Sequence, residues 1–254
     1  MISLNSHESI LVATINRNDQ NTIDDSLVDA LERILDEADR QQSVLLHLRS
    51  IRPHFCGGAD PVRVRRWLES DGAAALAADS SRWSSLFERI EAIPTIVFAE
   101  IRGNALGAGL GLALACDLRM MSISARIGVP EVRVGLLPAG NTIRRLTELS
   151  GLVAAQRLLI AGDIIDGAEA HRLGLSHWLS DDNSLQRDAA AVAQRVAKQS
   201  PAALREAKRL LYSASQESRF QTATVERQAF SLLISSEEPR KRVEALLVRL
   251  ASRD

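Results

Sequence analysis

The chain is poor in the residues that disulfide and metal chemistry require. Its 254 residues include two cysteines, Cys56 and Cys116, which form neither a zinc spacing nor a disulfide framework and suit a reducing compartment. The five histidines are scattered and make no ligand pattern, so no metal site is expected. Excess charge of one sign is also missing. Lys and Arg number 31 against 32 Asp and Glu, a net charge of −1, so no global field draws the chain to nucleic acid or a membrane surface. No apolar run approaches the length of a bilayer span and no charged-then-apolar leader opens the chain, which makes a cytoplasmic location the expectation. Gly-Lys-Ser/Thr, G-x-S-x-G and H-E-x-x-H are absent, which removes the phosphate loop, the serine elbow and the zinc-protease helix.

What is present is an ordinary globular composition, 46% apolar and 25% charged, at a length that allows a sizeable core. Ser9–Ile15, Ser43–Leu48, Thr95–Ile101 and Leu118–Ser124 read as strands. Between the first two, Leu27, Leu31, Ile34, Leu35 and Ala38 fall at helical spacing behind Asp24 or Asp25 as N-cap. After about residue 183 only amphipathic helices follow, with Pro201 and Pro239 near helix starts. The expectation is an α/β core over 1–182 and a helical region over 183–254. Trp67 and Trp83 read as packing residues.

A strand, a glycine-rich turn and a helix follow one another twice, at 43–70 and 95–117. The turns are Phe-Cys-Gly-Gly-Ala-Asp (Phe55–Asp60) and Leu-Gly-Ala-Gly-Leu-Gly (Leu106–Gly111). Each leaves backbone N–H groups free beside a helix N-terminus, where negative charge is favoured. A dinucleotide turn is the competitor, but the second turn reads G-x-G-x-G rather than G-x-G-x-x-G, with no acidic residue ending a strand about 20 positions on. One such turn by itself usually serves close packing. Two together supply the converging N–H donors that a developing oxyanion needs.

Four stretches, FCGGAD, IRGNALGAGLGLALACDLRM, ARIGVPEVRVGLLP and IAGDIIDGAEAHRLGL, resemble in this order the enoyl-CoA hydratase/isomerase (crotonase) superfamily. The resemblance covers nearly the whole chain. It implies a crotonase-like spiral of ββα repeats, a C-terminal helical region that builds trimers or dimers of trimers, and an acyl thioester substrate. Coenzyme A is then part of that substrate and no separate cofactor is implied. Carried over by position, the N–H groups of Ala59 and Ala108 form the oxyanion hole and Glu131 of Val-Pro-Glu is the catalytic acid/base. Gly57, Gly58, Asp60, Leu106, Gly107, Gly111 and Pro130 line the substrate site. Asp60 reads as a loop-fixing or helix-capping residue, and Cys56 as a packed thiol rather than a nucleophile.

The chain departs from the family's pattern at Gly111, where the family usually places a second acid, and at Asn141-Thr142-Ile143, where small glycines usually follow the proline. Hydration is easiest with two carboxyl groups, whereas allylic isomerisation needs one that moves a proton from the α to the γ carbon. The resemblance therefore implies enoyl-CoA isomerase or hydratase chemistry. The alternatives are a dehydratase of polyketide β-branching acting on acyl-carrier-protein thioesters, and a catalytically silent acyl-CoA-binding paralogue. The cluster Arg63, Arg65, Arg66 reads as a solvated face more than as a phosphate contact.

Overall fold

The structure, a computed structural model, describes residues 2–69, 72–214 and 219–251. Two compact units divide the chain after Val196. The first holds β1 (Ile2–His7), β2 (Ile10–Ile15), α1 (Asp25–Arg40), β3 (Leu45–Ser50), α2 (Pro61–Trp67), α3 (Gly72–Ala92) and β4 (Ile96–Ile101). It continues with β5 (Asn104–Leu106), α4 (Ala108–Ala115), β6 (Leu118–Ser122), β7 (Arg126–Gly128) and a 3₁₀ turn at Pro130–Val134. α5 (Thr142–Ile160), β8 (Ile164–Asp166), α6 (Gly167–Arg172), β9 (Trp178–Ser180) and α7 (Leu185–Ala197) complete it. The second unit carries α8 (Pro201–Ala214), α9 (Arg219–Ile234) and α10 (Glu237–Ala251).

Six strands form the main sheet in the order β1-β2-β3-β4-β6-β9, and only β1 runs antiparallel to its neighbour. Alternation fixes its faces. Leu11, Ala13 and Ile15 of β2 and Leu46 and Leu48 of β3 point into the same core as Leu27, Leu31, Leu35 and Ala38 of α1. Asp24 caps α1 by accepting the Leu27 N–H at 3.0 Å and is paired with Arg17, whose guanidinium holds its carboxyl far below the usual range. β5, β7 and β8 make a second sheet of three short strands, β7 lying between the others. Among the described residues no helix is long and apolar enough to cross a membrane.

α4 is buried on every side, so apolar and small residues run all round it. Its last carbonyls are satisfied by a buried arginine on β6: Arg119 donates to the carbonyl oxygens of Leu114 and Cys116, and from Nε to that of Leu175 at 2.9 Å. Its N-terminus has no side-chain cap. A helix tied down at one end and open at the other is a fixed dipole aimed at whatever lies beyond Ala108.

Candidate active site

The site collects where β3, β5 and β7 end, at the carboxyl side of parallel strands, where open α/β sheets leave their crevice. The chain after β3 threads between two backbone neighbours. On one side Cys56 donates to the Asn104 carbonyl at 2.9 Å and its own carbonyl accepts the Leu106 N–H at 3.1 Å. On the other, Gly57 donates to Gln20 at 2.7 Å, the Gly58 carbonyl accepts from Ile23 at 2.8 Å, and Asp60 donates to the Ile23 carbonyl at 3.2 Å. Ile23 and Ala59 are parallel bridge partners. Peptide directions alternate along an extended chain, so the Ala59 N–H points away from Ile23, to the side that β5 has just vacated. That space is taken up by Gly107 and the first turn of α4.

Glycine is required at the crossing. Gly58 has φ +94°, and a β-carbon there would lie 2.7 Å from the Leu106 carbonyl oxygen and 3.7 Å from the Ala108 nitrogen. The free N–H of Ala59 follows directly, so the two expected donors are brought onto one spot. Among the described residues neither N–H has a backbone partner. Gly107, at φ +55°, turns the chain from β5 into α4 while donating to the Gly128 carbonyl at 2.9 Å.

Glu131 arrives from the opposite side. β7 pairs in parallel with β5, and Pro130 starts the 3₁₀ turn that follows, fixing the backbone one residue before the carboxylate. A β-carbon on Gly107 would stand 2.2 Å from Glu131 Oε1, which places the carboxylate against the entrance of α4. Oε2 is buried and, among the described residues, accepts no hydrogen bond. Burial pushes the Glu131 carboxyl up from its ordinary value, against a weaker downward pull from its own backbone N–H. A carboxylate with one open oxygen, beside two amides that have no backbone partner among the described residues, is poised to take a proton from a carbon whose electrons then move to an oxygen held by those amides.

The other expected residues sort plainly. Asp60 caps α2, accepting the N–H groups of Val62 at 2.8 Å and Arg63 at 3.3 Å, and Thr22 Oγ1 at 3.0 Å. Leu106 closes β5, and Gly57 packs against Gln20. The Cys56 thiol is fully buried and pushed up to about 12 by burial, which leaves it inert. Arg63 is engaged by Asp25 and Asp79, Trp83 is buried in the core, and the side chain of Trp67 lies outside the described residues.

Two residues that hold the site are absent from the motif reading. Asn21, fully buried at φ +47°, accepts the Arg17 N–H and donates to Ser50 Oγ at 2.7 Å and the His54 carbonyl at 2.9 Å, clamping the chain just before Phe55. His54 Nδ1 accepts the Asn104 N–H at 3.0 Å and so fixes the start of β5. An asparagine at a turn was the available signal for the first. The second depends on a partner 50 residues away.

Comparison with known proteins gives the family and the fold. The family model for enoyl-CoA hydratase/isomerase matches residues 5–250. A probable enoyl-CoA hydratase of Bacillus subtilis is 32% identical over 97% of this chain and 95% of its own length. The 2,3-dehydroadipyl-CoA hydratase of Escherichia coli is 31% identical over 94% and 92%. Among solved structures, Pseudomonas aeruginosa DspI superposes with a TM-score of 0.91 at 29% identity, covering 98% of this chain and 94% of its own. An enoyl-CoA hydratase from Bacillus anthracis does so at 0.91 and 26%, covering 98% and 96%. With that family model over nearly its whole length and that fold, the chain belongs to the enoyl-CoA hydratase/isomerase family.

Proposed function

We propose that this protein moves a carbon–carbon double bond between the β,γ and α,β positions of an acyl-CoA thioester. The N–H groups of Ala59 and Ala108 bind the thioester oxygen. Glu131 removes a proton from the α carbon; the C–H electron pair becomes the double bond between the carbonyl carbon and Cα as the carbonyl π pair moves onto the held oxygen, giving a dienolate, and Cα=Cβ forms when the Cβ=Cγ pair takes up the proton. The same carboxyl then returns the proton at the γ carbon, and the charge flows back to leave the α,β-enoyl thioester with its composition unchanged. The observation that carries this reading is the lone Glu131 carboxylate at the entrance of α4, with no second acid on the adjoining turn because position 111 is glycine.

Hydration of an α,β-enoyl-CoA is the second reading, favoured by the names of the relatives at 31% and 32% identity. The exposed apolar residues Phe230, Leu232 and Ile234 of α9 and Leu247 and Val248 of α10 support self-association through the second unit. The test is turnover of purified protein on matched β,γ-enoyl and α,β-enoyl groups, each offered on CoA and on carrier protein. Isomerisation exceeding hydration on CoA supports the proposal. Hydration alone establishes the second reading, and turnover only on carrier protein overturns the choice of CoA.

A further inference from the structure

Gly111 lies three residues beyond Ala108 on α4, on the same helix face, and a side chain there leans back toward the helix N-terminus. Position 111 is thus the place on α4 from which an added side chain would point at the oxyanion donors and Glu131. The space is filled. A β-carbon on Gly111 would stand 2.3 Å from Thr142 Oγ1 and 3.1 Å from Phe87 Cε2. We propose that Thr142 is a specificity-determining residue: its side chain, wedged over Gly111, keeps any second proton-carrying group off α4 and leaves Glu131 to act alone. The consequence for the reaction rests on the isomerase reading above; the occupancy of the space does not.

Thr142 has no room to yield. It is fully buried at the first position of α5, and its hydroxyl donates to the Ala139 carbonyl at 2.6 Å. The segment that delivers it is tied to α3 at three points. Asn141, in the left-handed region at φ +53°, donates to Glu88 Oε1 at 2.8 Å. Arg145, buried to 2% side-chain exposure, pairs through Nε and Nη2 with the Glu91 carboxylate at 2.6 and 2.8 Å and donates from Nη1 to the Gly140 carbonyl. Gly140 itself packs on the Phe87 ring. A rotation of Thr142 gives up its hydrogen bond to Ala139 and, in one of its two other rotamers, turns a methyl group into the same gap, so relief at 111 comes most directly from removing the side chain.

The experiment is a cycle of four proteins, the parent, Gly111→Ala, Thr142→Gly and the double variant, followed by thermal unfolding. The methyl group of Gly111→Ala should lower Tm in the parent and be neutral or stabilising in the Thr142→Gly background. Equal effects in both backgrounds overturn the claim of a filled space, whatever the enzyme's reaction. The functional arm compares Gly111→Glu with Gly111→Glu/Thr142→Gly on an α,β-enoyl-CoA. The double variant should raise the ratio of hydration to isomerisation by roughly tenfold or more, within the range general acid–base groups supply. Gly111→Glu alone should not. A folded double variant with an unchanged ratio, or the same gain with Thr142 kept, overturns the assignment of specificity to Thr142. If the double variant does not fold, Gly111→Asp/Thr142→Gly, with its shorter acid, is read by the same two outcomes. A parent that does not isomerise sinks the isomerase reading and leaves the Tm cycle to judge the wedge.

Discussion

Changing Glu131 to glutamine should make the protein less active and more stable at the same time. Among the described residues the buried Oε2 has no partner, so above the carboxyl's titration the folded state carries a charge that only its own backbone N–H offsets. Leaving a buried polar group unsatisfied costs about 1–3 kcal/mol, and because Glu131 is only half-buried the low end, about 1 kcal/mol, is the working figure. For a unit of this size that is a rise in Tm of about 2–4 °C. The sign with pH follows from the direction of the shift. The folded protein keeps a proton that the unfolded chain releases near pH ~4.3, so the parent loses stability as pH rises from there through the raised value, and the loss persists above it. The gain from Glu131→Gln should therefore grow as pH rises through the raised value and vanish below about pH 4. Turnover should fall by roughly 10²–10⁴-fold, about 2.7–5.4 kcal/mol of barrier at 1.36 kcal/mol per decade. In the parent, kcat/KM should rise with pH on the acid side with a midpoint above that of an ordinary glutamate. Thermal unfolding of both proteins at pH 7 and below pH 4, beside their turnover, is the assay. A glutamine variant that is less stable than the parent at pH 7, or one that is active, refutes the reasoning.

Two further substitutions probe how the site is held. Gly107→Ala forces an L side chain to φ +55°, a cost of about 1–2 kcal/mol, and drives its methyl into Glu131 Oε1; displacing that group by about 1 Å should cost on the order of 10²-fold in kcat. A folded Gly107→Ala protein with parental kcat would mean the carboxylate does not work from that position. Arg145→Met removes the buried bidentate partner of Glu91 and leaves Arg144 as its remaining cation, so the loss should be about 1.5–3 kcal/mol, and Arg145→Lys should recover little of it because an ammonium cannot span both oxygens. Urea unfolding of the three proteins checks this, and a lysine variant indistinguishable from the parent contradicts it.

The sequence disclosed most about the parts of this site made of backbone. Glycines at 57, 58, 107, 109 and 111 announce places where chain passes close to chain, and two such turns together point to paired N–H donors. The periodicity of α1 placed Asp24 next to its helix start, where it is the cap. The second sheet was not legible, because β5, β7 and β8 are three residues each and too short for alternation to show. β1 was missed as well: its polar, exposed residues give no burial pattern, and it is defined by its pairing with β2. Asn21, His54 and Arg145 act through long-range partners 29 to 54 residues away, and no local pattern encodes such pairings. The wedge over Gly111 is of the same kind. The absence of an acid at 111 and the bulk at 142 are both visible in the sequence, but only the fold shows that one fills the space left by the other.

The account turns on the Ala59 N–H acting as an oxyanion donor together with that of Ala108. Replacing the amide at Ala59 by a backbone ester exchanges N–H for oxygen, keeps the side chain, the glycine turn and the Asp60 bond to Ile23, and weakens the Gly58 carbonyl only as an acceptor for Ile23. If the donor holds the developing oxyanion, the folded ester protein should turn over its enoyl-CoA substrate roughly 10²–10³-fold more slowly, about 2.7–4 kcal/mol of lost transition-state stabilisation. An ester protein that folds and turns over as fast as the parent would contradict the account, and the crossing of Gly58 over Leu106 would then be packing alone.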